Sequence, residues 1–498
     1  MDGSQVEIIW GGDVNLGRRQ HFRAVELGFE NVIRIPRLRE ADLRIFNLEC
    51  VVALAGEQGS PKGEGGPFYF RARPDMLRLL ELAECNIVTT ANNHSGDYGP
   101  DAIAEQKMWL DSVGIGSVGS GETQEEAFRP IVRRVGNSRI AVFSVDATQP
   151  LFAASATRPG NAFLPLKDPD AWTKVFVPRI ASVRSVADHV LVAVHWGANG
   201  EEVPGAAEVK VGHRLIDAGA DAVLGTSAHK LQGIEVYRGR PIIHDAGDLL
   251  FDRVSQSLEP SGIFALRLGA GGVNSVEFVP VGAGYGFCKQ LEGAEATAAT
   301  RAYAEKCAKF GTTLAVTPEG HGLVEVRPDA RTAIKPSALP VGCTTDRVPP
   351  DAEIEPLRLG PLRLLGIRLN PRRMTERQML WVESFWDAAE RPDADYRIGF
   401  LAEPVIKGAM PAWGRSMDHD PCDWRVPTSG WSPGTIYRDF YGLRPPPISQ
   451  LKNVELQLSV MLLGPEGKVA RHRLPHFTLL ILQSKSAAAF SSEAPHGT

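Results

Sequence analysis

Between Val6 and Ile243 short apolar runs alternate with stretches of helical spacing, and nearly every run stops at an acid, amide or histidine. Val6–Trp10 breaks at Gly11-Gly12-Asp13, and Leu43–Phe46 stops at Asn47-Leu48-Glu49. Cys85–Thr90 runs into Ala91-Asn92-Asn93-His94-Ser95-Gly96-Asp97. Val190–Val194 ends at His195-Trp196-Gly197, and Ala222–Gly225 at Thr226-Ser227-Ala228-His229. Pro241–Ile243 leads into His244-Asp245-Ala246-Gly247-Asp248. Helical spacing covers Pro74–Ala83, Ala102–Val113, Pro178–Ala187 and Ala206–Ala218, and Ile140–Ser144 reads as a further strand. Gly56–Pro67 reads as a mobile loop and Gly114–Gly121 as a turn-rich connection. Strands alternating with helices predict an α/β fold. A strand that ends in polar residues delivers them to the rim of a sheet, where such folds build their sites.

Past Ile243 the rhythm changes. Ile263–Val281 predicts two strands, Thr300–Phe310 a helix and Leu323–Val326 a short strand, closing a first domain at residues 1–326. Arg327–Pro356, rich in Pro, Asp and Thr, reads as a linker. Alternating runs at Leu357–Leu369, Arg397–Leu401, Val454–Leu463 and Leu474–Leu482 predict a mainly antiparallel β-sandwich over residues 357–483, interrupted by a helix at Thr375–Ala388. Trp413, Trp424, Trp431 and Tyr437 fall between these runs, as packing residues or as the lining of a groove. Residues 484–498 read as a disordered tail.

Composition narrows the classes. The 498 residues carry 43% hydrophobic and 23% charged side chains, enough for a large core. A net charge of −5 and the lack of a dense Lys/Arg run argue against nucleic acid. The chain holds no apolar run of membrane-spanning length, and Met1–Gln5 leads into a strand without a signal-peptide core, so no membrane partner is expected. Six scattered cysteines without a C-x-x-C pair fit a reduced, cytoplasmic protein.

Collected at the strand ends are Asp13, Asn47, Glu49, Asn92, Asn93, His94, Asp97, His195, His229 and the stretch His244–Asp248. Carboxylates, amides and imidazoles together suit a divalent ion: Ca²⁺, Mg²⁺, Mn²⁺ or Zn²⁺. Each group is costly to bury alone, which is the physical reason to expect an ion or mutual bonding.

Gly12-Asp13, Asn47-Leu48-Glu49, Ala91-Asn92-Asn93-His94 with Asp97-Tyr98-Gly99, and His195-Trp196-Gly197 resemble the motifs of the CapA-like (poly-γ-glutamate capsule biosynthesis) family. So do Ala218-Gly219-Ala220-Asp221, His229 and Gly233-Ile234-Glu235. The resemblance covers roughly residues 5–285 and implies a calcineurin-like layered β-sandwich flanked by helices. It implies Asp13, Glu49 and Asn93 as metal ligands, His94 as the acid/base beside them, and His195 and His229 as later ligands or catalytic groups. Two positions depart from the family pattern. Ser227 stands where a histidine is usual, and Asp245-Ala246-Gly247-Asp248 replaces Ser-Leu-Gly-Asn. Losing an imidazole and gaining a carboxylate favours a single hard ion, Ca²⁺ first.

Three functions compete at this level. The resemblance extends to metal-dependent peptide epimerases of lasso-type ribosomal peptides, which makes a peptide the expected substrate. Inverting a Cα needs a base and an acid titrating near neutrality, roles expected of His94 and His229 with Asp97 and Asp248, and with His195 nearby. Hydrolysis of a phosphoester or a γ-glutamyl or peptide bond is the second reading, and non-catalytic polymer binding the third.

Overall fold

The computed structural model describes residues 5–59, 62–63, 68–252, 257–327, 343–370, 373–375, 380–405, 421–422, 426–443, 454–464 and 467–482. The chain divides into two units, Met1–Pro340 and Val341–Thr498. Trp413, Trp424, half of the expected linker (328–342) and the expected tail lie outside the described residues.

The first unit is a mixed α/β structure. Its site-bearing strands are β1 (Val6–Val14), β2 (Leu43–Leu48), β3 (Ile87–Thr89), β4 (Ser138–Asp146), β5 (His189–His195), β6 (Ala222–Thr226), β7 (Arg240–Ile243) and β8 (Asp248–Leu250). One sheet places β1 between β2 and the antiparallel strand Glu259–Gly269, with β3 beyond β2. β8 pairs in parallel with the end of β1. A second sheet runs β7-β6-β5-β4 in parallel, with Ile234–Tyr237 and Ile131–Val135 on its edges.

Alternation along the strands explains how these sheets pack. Ile8 and Trp10 of β1 join Ile45, Val142, Leu191, Leu224 and Phe264 in one buried core between the sheets. Ile9, Phe46 and Leu48 face the other way, into a second core with Leu77, Leu80 and Leu110. Each such side chain contributes roughly 1.5–3 kcal/mol on burial, so the period-two pattern fixes which face is which. The parallel strands then end at a common edge. Register sets Asp13 beside both Asn47 and Asp248, Asn47 beside Thr89, and His195 beside Asp146 and Thr226.

Several elements differ from the expectation. Strand β4 runs past Ser144 to Asp146, adding a buried acid to the row of strand ends. Gly114–Gly121 is more than a turn, because Gly116–Val118 pairs with β3. Helices occupy Gly99–Ser112, with Pro100 in the first turn, and Ala206–Ala218. The segment around Pro178 is a π-turn at Trp172–Phe176 followed by a helix at Val177–Val183. Among the described residues, no helix is long and apolar enough to cross a membrane.

The second unit packs two mainly antiparallel sheets. One runs Thr344–Thr345, Ile436–Leu443, Leu380–Ala388, Leu362–Asn370 and Glu353–Leu359. The other runs Arg373–Thr375, Gly467–Leu482, Val454–Gly464 and Arg397–Pro404. The helix expected at Thr375–Ala388 is absent from its described part: Leu380–Ala388 is a central strand. Its apolar residues satisfy helical spacing and alternation alike, and the strand is chosen because Leu380, Val382, Trp386 and Ala388 all reach one core. The expected linker also overruns structure, since Thr344–Thr345 and the start of Glu353–Leu359 are strands. Trp431 and Tyr437 stack at 4.1 Å in that core, as packing residues.

Candidate metal centre and active site

Asp13 leaves the end of β1 fully buried. Gly12 before it has φ +73°, and a Cβ there would lie 2.4 Å from the Gly247 carbonyl oxygen, so only glycine lets this corner close on the β8 turn. Asp13 Oδ1 accepts from Asn47 Nδ2 at 2.7 Å, and its Oδ2 accepts from the Ser227 backbone N–H at 3.3 Å. Burial works against its charge, but His229, His195 and Asn47 outweigh burial and hold the carboxyl below its usual value. Asn47 in turn accepts from Thr89 and Asn92 through Oδ1, at 3.0 and 3.1 Å. Adjacent strand ends are thereby tied into one polar floor.

The turn after β6 aims His229 into this floor. Ser227 and His229 both have positive φ, 110° and 57°, a conformation costing about 1–3 kcal/mol for a residue with a side chain. His229 Nδ1 lies 2.7 Å from Asp248 Oδ1 and 3.5 Å from Asp13 Oδ2. Asp13, His229 and Asp248 offer donor atoms within 4.8 Å of one another, close enough to share one ion. Burial opposes a charge on His229, yet Glu49, Asp248 and Asp13 lift its value well above the ordinary one.

Glu49, just past β2, is the group least accounted for. It is wholly buried, and neither carboxylate oxygen has a hydrogen-bond partner. Three ring nitrogens surround its Oε1: His229 Nε2 at 3.6 Å, His195 Nε2 at 3.8 Å and His94 Nε2 at 3.9 Å. Burial, reinforced by the charges of Asp13, Asp248 and Asp245, pushes its carboxyl well above the usual range. A carboxylate buried among carboxylates without hydrogen bonds demands positive charge. In the protein alone the nearest cation is the His229 imidazolium, 3.6 Å away and shared with Asp13 and Asp248, so the demand is met only in part; a divalent ion would meet it more fully.

His94 forms the opposite wall. Its Nδ1 lies 2.7 Å from Asp97 Oδ2, its ring stacks on Phe70 at 3.8 Å, and its main-chain N–H donates to Asn92 Oδ1. Lys62 completes the unit with a side chain fully removed from solvent. Its Nζ reaches Asp97 Oδ1 at 2.5 Å, the Asn93 carbonyl at 2.8 Å and His94 Nδ1 at 3.1 Å. Burial and the Lys62 ammonium hold His94 well below its ordinary value, so the ring is neutral. Burial pushes Asp97 up to about 7 against the pull of Lys62. Asp97 accepts from Nδ1, which leaves the Nε2 lone pair facing Glu49.

The structure thus gathers Asp13, Glu49, Asn93, His94, Asp97, His195, His229 and Asp248 in one place, but groups them differently from the expectation. His229 and Asp248, expected as proton carriers, come close enough to Asp13 that the three could hold an ion, because β8 pairs in register with β1. The Asn93 carboxamide, expected as a ligand, accepts from His195 Nε2 at 3.0 Å. His195 Nδ1 lies 3.0 Å from Thr226 Oγ1, and burial presses that ring down to about 3. His244 does not join the site: its Nε2 meets Glu235 at 3.0 Å and its ring stacks on Phe310. Asp245 ties the turn instead, accepting from the main-chain N–H groups of Ala228 and Gly247. Lys62 and Asp146 went unread; Lys62 sits in a Gly/Pro-rich loop that gives no local cue to burial.

Comparison with known proteins adds the family. Residues 7–253 match the model of the bacterial capsule synthesis protein PGA_cap. A probable polyglutamine synthesis accessory protein of Mycobacterium tuberculosis (strain ATCC 25618 / H37Rv) is 34% identical over 219 residues, 42% of this chain and 56% of that one. The PGA biosynthesis protein CapA of Bacillus subtilis (strain 168) is 26% identical over 274 residues, 54% and 70% of the two chains. This chain therefore spans little more than half the length of the mycobacterial relative. The solved structure of TT1561 from Thermus thermophilus aligns over 52% of this chain and 94% of its own, at 12% identity and a TM-score of 0.28, too low to bear on the fold. Through residues 7–253, which hold every strand-end group described above, the chain belongs to the CapA-like (PGA_cap) family.

Proposed function

We propose that the first unit is a divalent-metal-dependent enzyme that moves protons at the backbone of a peptidyl or glutamyl substrate. The observation that carries this reading is Glu49: a buried carboxylate without hydrogen bonds, flanked by an ion-sized donor group on one side and a neutral, oriented histidine on the other. Asp13, His229 and Asp248 would hold the ion, with Glu49 beside them. An imidazole in that set favours a borderline ion such as Mn²⁺ or Zn²⁺ over the Ca²⁺ expected from oxygen donors alone. When bound, the ion would polarise a substrate carbonyl and offset charge that develops there. The calcineurin-like arrangement belongs to this proposal too, supported by two stacked sheets with polar ends at one edge.

The chain's own part is proton traffic. His94, fixed by Asp97 and Lys62, is the base, and its Nε2 is the atom that accepts. His195, with Nε2 3.8 Å from the same Glu49 oxygen, stands by as a neutral imidazole, and the Glu49 carboxyl, held well above its usual range, is the second proton carrier. A base and a second carrier around one carbonyl are what inversion of a Cα requires, so epimerisation is the specific reaction proposed. Relatives named for PGA biosynthesis and polyglutamine synthesis support a substrate built of glutamyl or peptide units. Hydrolysis is the second reading, favoured by Glu49 itself: a carboxylate whose affinity for a proton is raised can accept one from an attacking water.

Incubation of the Mn²⁺-loaded protein with glutamyl oligomers and glutamate-bearing peptides in D₂O separates the two. Epimerisation incorporates deuterium at Cα at unchanged chain length. A shortened product without Cα deuterium gives hydrolysis instead.

A further inference from the structure

Two of the six cysteines meet in the second unit although 79 residues separate them. Cys343 opens the described part of that unit, directly before the edge strand Thr344–Thr345. Cys422 is buried in the sandwich core, and Cys343 packs half-buried against it. The contact is reciprocal. Cys343 Sγ lies 3.8 Å from the Cys422 carbonyl oxygen, and Cys422 Sγ lies 3.7 Å from the Cys343 carbonyl oxygen. Each sulfur therefore lies against the other residue's main chain, so the two side chains occupy the same small space.

The surroundings hold both residues in place. The Arg438 N–H donates to the Cys343 carbonyl at 2.9 Å, and Cys422 Sγ also lies 3.6 Å from the Arg438 carbonyl. The Cys422 N–H donates to Asp439 Oδ1 at 3.0 Å, and Cys422 has a positive φ of 58°. The other four cysteines, in the first unit, are all buried. Burial raises their thiols to about 12 at Cys50, Cys85 and Cys288 and about 11 at Cys307, which makes them poor nucleophiles.

We propose that Cys343 and Cys422, both thiols in this structure, are the two halves of a reversible intrachain disulfide. With oxidised glutathione as the oxidant, the more accessible Cys343 thiolate attacks one glutathione sulfur. A mixed disulfide forms and one glutathione leaves as its thiolate. Cys422 then gives up its proton and attacks Cys343 Sγ, closing the protein disulfide and releasing the second glutathione. Two protein thiols have lost two protons and two electrons, and one glutathione disulfide has become two thiols. The bridge closes a long loop and pins the first strand of the second unit to its core, so it raises the thermal midpoint of that unit.

The test uses the full-length protein equilibrated with reduced or oxidised glutathione, then denatured and alkylated with N-ethylmaleimide. The reduced protein should label at all six cysteines and the oxidised protein at four, with one cross-linked peptide containing residues 343 and 422. Oxidation should also raise the thermal midpoint, and Cys343→Ser, at the more exposed partner, should remove both the cross-link and the rise. Six labelled cysteines after oxidation, a cross-link between any other pair, or an unchanged midpoint shift in Cys343→Ser overturns the proposal. Should Cys343→Ser fail to fold, peptide mapping of the unmodified chain decides alone.

Discussion

The strand ends of the first unit and the core of the second both bury charged groups, and they treat them in opposite ways. In the second unit Glu383 takes Arg438 at 2.6 Å and Arg368 at 2.7 Å, and Asp387 takes Arg363 through both carboxylate oxygens. Both of these acids close on cations carried by neighbouring strands. In the first unit Asp13, Asp248, Asp245 and Glu49 crowd one edge, and Glu49 has no hydrogen bond on either oxygen. A fold can neutralise buried acids from within, as the sandwich does, or leave the demand open for a ligand. Where it is left open marks the working end of the molecule.

The comparison can be broken most forcefully at Asp13. Asp13→Asn keeps the size of the side chain but removes a ligand charge, and should leave neither bound Mn²⁺ in calorimetry nor turnover. Retained stoichiometric binding would mean that the open demand lies elsewhere. His94→Gln should lower kcat by about 10²–10⁴ with metal binding unchanged. Loss of both together would make His94 a ligand and not a base.

Asp97→Asn should cost about 10–100-fold, the size expected when the group orienting a functional histidine is altered. Its pH signature follows from the value near 7. Below that pH the carboxyl is protonated and no longer accepts from His94 Nδ1, so kcat/KM should rise with pH through about 7 in the wild type. In Asp97→Asn this acid limb should be gone.

The smallest effect is the most diagnostic, because it has opposite signs in the two units. Glu49→Gln removes a buried carboxyl that no hydrogen bond satisfies, and should stabilise the metal-free protein by about 1 kcal/mol while abolishing activity. Glu383→Gln takes the carboxylate from Arg438 and leaves Arg368 with Asp351, and, both cations being partly exposed, should destabilise by about 0.5–1 kcal/mol without touching turnover. Calorimetric unfolding of both variants checks the pair. A fall in stability for Glu49→Gln would mean that its charge is already compensated.

How much of this was legible in the sequence depended on whether the information was local. The polar strand ends could be read because parallel strands bring equivalent ends to one edge, so a repeated local pattern became a shared location. What each group touches could not be read, since that is set by register. Asp248 meets Asp13 because β8 adds in parallel to β1, and no local signal reports that pairing. Lys62 was hidden for the same reason, its burial being imposed by the 93–97 turn and by Phe152, over which its ammonium lies. The strand at Leu380–Ala388 was misread because its apolar positions satisfy both periods, and only the opposing sheet chooses between them.

The bond from Ser227 to Asp13 spans 214 residues, and the pairing of Asp13 with Asp248 reaches further along the chain still. During synthesis Asp13, the first of the proposed ligands, leaves the ribosome early and must wait for most of the unit before its partners exist. An ion cannot be captured in passing by a half-made chain, as it can where ligands are neighbours in sequence. Loading of the proposed ion would be a late event that reports on completion, and a truncated or misregistered first unit would stay empty.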